Sequence, residues 1–139
     1  MFARLLPLLA AALVGVVSAQ TPPAVFPAPP EVLTGFHLRD GAVQNLSLPM
    51  TTGVPFDVRV VVAGTARTLR LAPHDVRAPG FQLLVDDGTR LRQLPTPASV
   101  TYRGQVVGLP GSKVAASLVD GQFAATIHLD NGALWAVQP

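Results

Sequence analysis

The sequence predicts an all-β domain, an antiparallel sandwich or partly open barrel built from short strands. Three observations predict it. From Leu33 onward, apolar and polar residues alternate at period two in short runs. Turn-forming pairs such as Asp120-Gly121 and Asn131-Gly132 separate those runs. The 139 residues include 14 Pro and 12 Gly, and past the first 19 residues none sustains a helical period over three turns.

The clearest strand is Phe56 to Val62, with Phe56, Val58, Val60 and Val62 on one face and Asp57 and Arg59 on the other. Residues 63–67, with Gly64 inside, read as a loop, and residues 68–72 alternate again to complete a hairpin with its arginines outside. Ala78-Pro79-Gly80 is a turn into a strand over residues 81–85. Asp86-Asp87-Gly88-Thr89 then turns into residues 90–94, which Pro95 and Pro97 close. In residues 99–107, Val100, Tyr102 and Val106 share a face, and Gly104 marks a bulge or a close backbone approach. Residues 108–113 read as a turn. Residues 113–137 form a three-stranded meander in which Phe123, Ala125, Ile127 and Leu129 line the buried face and Trp135 lies on the last strand.

The two ends of the first third differ from this. Residues 1–19 carry Arg4, then an apolar run interrupted by Pro7, then small residues before Gln20. That is the pattern of a secretory signal peptide cleaved between Ala19 and Gln20, and the run is too short for a stable membrane span. Residues 20–31 hold Pro22, Pro23, Pro27, Pro29 and Pro30, a density that predicts an extended linker. Residues 32–139 form the predicted domain. The expected location is outside the cytoplasm, secreted or periplasmic.

Composition narrows the chemistry. Formal charge is +2, with one lysine and no basic cluster, so nucleic acid is not an expected partner. Without cysteine, the domain must hold by burial alone, and thiol catalysis and Cys-ligated metals are excluded. The only glutamate, Glu31, and the scattered His37, His74 and His128 do not form a zinc-hydrolase H-E-x-x-H motif. Ser112, His128 and Asp120 lack the G-x-S-x-G turn of a hydrolase. Gly111-Ser112-Lys113 opens a strand rather than a helix, unlike a phosphate loop. Asp86-Asp87 is turn chemistry, and Asn45-Leu46-Ser47 fits a glycosylation sequon. No catalytic residue, metal or cofactor is expected.

Residues 54–139 resemble the prodomain that precedes the catalytic domain of reprolysin or ADAM-like zinc metalloproteases. Tyr102-Arg103-Gly104-Gln105-Val106 is similar to the family's Y-x-G-x-V strand, and Gly108 and Pro110 match its following turn. Val114-Ala115-Ala116-Ser117 matches V-A-x-S, and Gly121, Ile127, Trp135 and Pro139 fall at the family's closing positions. The upstream run from Leu71 through His74 to Phe81 is similar to the segment after the family's first hairpin. The departures are two. Where many such prodomains carry a cysteine pair, this chain has Val100 and Val119, which the alignment expects in apolar contact. The family's latency cysteine is also missing.

The resemblance implies a non-catalytic prodomain that assists folding of a zinc metalloprotease domain, in cis or in trans, and keeps it latent by steric occlusion. The expected contact elements are the Arg59 and Arg70 face of the first hairpin and the loop from His74 to Phe81. The chain is then expected to end at a domain border. The alternative is a free-standing secreted β module that binds a cell-surface polymer or protein.

Overall fold

The computed structural model describes residues 21–139; the expected signal peptide and Ala19–Gln20 cleavage site lie outside the described residues. Its centre is one antiparallel six-stranded sheet, built by β3 (Phe56–Val62), β4 (Thr65–Pro73), β7 (Thr101–Val106), β8 (Leu109–Val119), β9 (Gln122–His128) and β10 (Leu134–Val137). The strand order is β10-β9-β8-β7-β4-β3, a meander with a single excursion between β4 and β7. The sheet curls into a half-barrel, the partly open form of the expected all-β architecture.

Alternation places the core. Val58, Val60 and Val62 of β3 point inward, joined by Leu69 and Leu71 of β4, Tyr102 and Val106 of β7, Val114 and Leu118 of β8, and Phe123, Ala125 and Ile127 of β9. Leu46 and Leu48, from the segment before β3, pack against this inner face. Burial of such side chains contributes on the order of 1.5–3 kcal/mol each, and with no disulfide it is the main force holding the curl. Phe56 meets the ring of Tyr102 edge-on at 5.0 Å, and the Tyr102 hydroxyl accepts a 2.9 Å hydrogen bond from Gly53 N–H.

The turns follow backbone chemistry. Asp120 (φ 51°) and Gly121 (φ 77°) make a two-residue hairpin turn between β8 and β9. Ala63 (φ 51°) and Gly64 (φ 72°) do the same between β3 and β4. The loop expected over residues 63–67 is therefore only these two residues: Gly64 and a strained Ala63 close the hairpin, so β4 resumes at Thr65.

Of the turn expected over residues 108–113, only Gly108 belongs to one. The chain reverses at Val107 and Gly108, and β8 begins at Leu109. Register shifts between Gly104, opposite Val114, and Val106, opposite Leu109. The buried Ser112 hydroxyl stabilises this irregularity by accepting Val106 N–H at 2.8 Å and donating to Leu109 O. It replaces the ladder bonds that the irregularity removes.

The proline-rich stretch carries more structure than a linker. β1 (Val25–Pro27) pairs with β2 (Ala42–Gln44), and α1 (Pro30–Gly35) lies between them. Proline suits both places: Pro27 ends a strand in a two-stranded ribbon, and Pro30 opens the helix, where its missing N–H has no intrahelical partner to lose. The ribbon also caps an edge of the main sheet. Gln44 Nε2 donates to Val61 O at 2.8 Å, and Gln44 Oε1 accepts Val61 N–H at 2.7 Å, so one side chain supplies the rung that a neighbouring strand would.

The excursion is β5 (Leu83–Asp86) and β6 (Leu91–Leu94), a hairpin that forms its own two-stranded sheet. Both strands are largely exposed.

Gly104 fits as the close-approach glycine that its place within a strand suggests. A Cβ built there would overlap the Arg70 carbonyl oxygen on β4. Gly104→Ala is expected to lower stability by about 3 kcal/mol, as an overpacked core position does, measured as a reduced midpoint in urea unfolding. Tyr102→Phe should cost about 1 kcal/mol, the worth of one hydrogen bond, in the same experiment.

Candidate functional site

The loop from β4 to β5, residues 74–81, is an exposed segment held by hydrogen bonds along its length. Its base is fixed to β7: His74 N–H donates to Thr101 O at 2.8 Å, while the Ser99 and Thr101 hydroxyls both donate to His74 O. Its far end is a turn in which Phe81 N–H donates to Ala78 O at 3.1 Å. Pro79 supplies the fixed φ of that turn and Gly80, at φ 79°, its left-handed position.

Between the two ends sits a clip. Arg77 grips Asp75 through Nε (2.7 Å) and Nη2 (2.8 Å), and its own backbone N–H donates to Asp75 Oδ1 at 3.0 Å. Arg77 Nη1 reaches across to Pro97 O at 2.9 Å, joining the loop to the irregular segment that returns from the β5–β6 hairpin to β7. The guanidinium stands 5.5 Å from the centre of the Phe81 ring. Planar two-point contact of this kind fixes orientation as well as charge. The hydrogen bonds from Arg77 hold the Asp75 carboxyl below its usual range, and Asp75 raises Arg77 in return.

The clip leaves Val76 at the apex with 70 % of its surface in solvent. An apolar side chain held out by a rigid loop is a ready contact residue, because little conformational freedom remains to be lost on binding. Of the residues expected from the sequence, His74 acts through its backbone and Phe81 as a platform under Arg77. Asp75, Val76 and Arg77 fall inside the expected contact loop without a role of their own there, and Pro97 enters the sequence only as the close of a strand unit. The only hints are the i, i+2 spacing of Asp75 and Arg77 and the Pro79-Gly80 turn.

The arginine face of the first hairpin is less uniform than expected. Arg70 is exposed and forks onto Asp57 directly opposite it, Nε to Oδ1 at 3.1 Å and Nη2 to Oδ2 at 2.9 Å. That hydrogen bond raises Arg70 above its ordinary value. Arg59 is half-buried and lines a small cavity with Thr21, Pro22, Pro23, Asn45 and Ser47. The N-terminal segment thus lies beside Arg59, which is less open than a place on the expected contact face requires.

The residues that carry the family resemblance hold structural posts. Tyr102 and Val106 are core, Gly104 touches β4, and Gly108 and Gly121 take positive φ in turns. Pro110 lies in the irregular start of β8, Ser117 faces Thr101, and Trp135 sits on the edge strand. The expected Val100–Val119 contact is not formed by the register. Leu118 N–H donates to Val100 O, so Leu118 lies across from Val100, and strand alternation turns Val119 to the other face.

His37, His74 and His128 are not brought together; among the described residues no group of three or more His, Cys, Asp or Glu side chains converges as a metal site. Among the described residues no helix is long and apolar enough to cross a membrane. No family model matches the chain, and neither a curated protein nor a solved structure matches it.

The clip has a pH signature. Asp75 is lowered in the folded state, so its stabilising pair is fully present above the ordinary carboxylate value, near pH 3.9, and is lost only as pH falls through the depressed value. NMR titration should show the Arg77 amide unchanged down to about pH 4 and shifting below it. Asp75→Asn should abolish that acid transition.

Proposed function

We propose that this chain is a secreted, non-catalytic prodomain-like module that helps a zinc metalloprotease domain fold and keeps it latent by filling its substrate cleft. The observation that carries this reading is the braced loop 74–81, which holds Val76 at its apex. Protease clefts bind extended or looped main chain with alternate side chains in pockets, and an inhibitor gains from having that conformation ready-made. The Tyr102-x-Gly104-x-Val106 pattern and the motifs after it support the same assignment. With no cysteine in the chain, latency works by occlusion rather than by a thiolate on zinc.

The alternative, a free-standing secreted module for a surface polymer or protein, draws on the exposed apolar side chains of β5–β6, among them Leu84, Val85 and Leu91. One assay separates the two. Residues 20–139 are titrated against an active reprolysin-type catalytic domain cleaving a peptide substrate. Inhibition is expected, weakened at least tenfold, about 1.4 kcal/mol, by Val76→Asp and also weakened by Arg77→Ala. No inhibition by a folded module, or equal inhibition by Val76→Asp, rejects the occlusion model.

A further inference from the structure

The two edges of the six-stranded sheet are treated differently by the sequence. β3 carries Asp57 and Arg59 and has its outward rung at Val61 capped by Gln44. Charge and capping are the usual means of keeping an edge from pairing with another chain. β10 has neither. Its residues Leu134, Trp135, Ala136 and Val137 are uncharged, and Leu134 and Trp135 expose 61 % and 39 % of their surface.

The ladder shows which β10 groups face outward. Leu129 N–H donates to Ala133 O, so that opposing pair is hydrogen-bonded. Antiparallel pairs alternate between bonded and non-bonded. Trp135, opposite Ile127, and Val137, opposite Ala125, are then bonded to β9, while Leu134 and Ala136 aim their N–H and C=O groups away from the sheet.

We infer that β10 is a self-association site, joining two copies of this chain edge to edge across a two-fold axis at Trp135. The argument for a second copy is self-complementarity. An antiparallel β10 partner centred on Trp135 sets Leu134 against Ala136 of the other copy, and Ala136 against its Leu134. Those two pairs satisfy all four outward donors and acceptors of each set, two N–H and two C=O. Trp135 then faces its own counterpart in a non-bonded pair, where side chains approach most closely and aromatic pairs are favoured. Because Trp135 lies opposite the buried Ile127, both indoles fall on the inner face, and the two half-barrels continue into one another. No like-charged side chains meet, since residues 132–139 have no charged side chain. A four-residue strand is a small contact, so the dimer is weak, with a dissociation constant roughly between micromolar and millimolar.

The test is sedimentation velocity of residues 20–139 from about 10 μM to 1 mM, paired with circular dichroism in the indole region. The expected result is a sedimentation coefficient that rises with concentration, together with a split indole signal as the two tryptophans couple. Ala136→Pro removes an outward N–H that β9 does not use, and should leave a folded monomer at every concentration. Leu134→Lys, which keeps the backbone intact, should do the same by edge charge. A wild-type chain that stays monomeric to about 1 mM, or a dimer unaffected by either variant, overturns the assignment. So does a dimer without indole coupling, because the axis would not pass through Trp135.

Discussion

The close approach of β7 to β4 at Gly104 is the constraint on which the half-barrel depends. Gly104 brings its backbone against Arg70 where no side chain could stand, and the register beside it shifts through the buried Ser112. A sheet that must bury one face without a second sheet over it has to bend. Gly104 lies at one end of that register shift, and Ser112 bonds Val106 at the other. Tyr102, two residues before Gly104, reaches from the same strand to Phe56 and to the backbone of Gly53. One short stretch of β7 therefore sets the curl and also ties down the segment that enters β3.

The bend also positions the exposed loop. Thr101, adjacent to Tyr102, receives His74 N–H and caps His74 O. The loop's base is thus fixed by the strand that shapes the core, and its apex by the hydrogen bonds and ring contact of Arg77. The apolar interior gives the loop a rigid foundation, whereas the Asp75–Arg77 fork, half in solvent, gives it orientation and little stability. Foundation and orientation come from different physics, and substitutions at the apex need not disturb the sheet.

Much of this was legible in the residues. β3 and β9 show clean period-two alternation, and the buried sets Val58, Val60, Val62 and Phe123, Ala125, Ile127 follow from it directly. Asp120-Gly121 and Gly104 each announce a backbone geometry that few residues tolerate. The features that the residues do not announce depend on distant partners. Gln44 caps Val61 from 17 residues away, and nothing local marks it. The proline-rich stretch reads as a linker because proline propensity is local, while Pro27 and Pro30 occupy the few positions in a ribbon and a helix that accept it. β5 and β6 look like any other strands, since alternation reports a pleat and not which sheet receives it. Of the loop, the sequence marks the boundaries, His74 and Phe81, but not the clip, because Arg77 finds Pro97 only once the chain has folded back.

That last contact has a consequence for how the chain can change. The bond from Arg77 to Pro97 O spans the stem of the β5–β6 excursion, closing it off much as a drawstring closes a bag. Whatever lies between those two residues hangs outside the mechanical circuit of the barrel. Insertions or wholesale replacement around Asp87 and Gly88 would alter what the hairpin offers to its surroundings and leave the apex at Val76 where it is. The excursion is a place where evolution can graft new recognition onto an unchanged body.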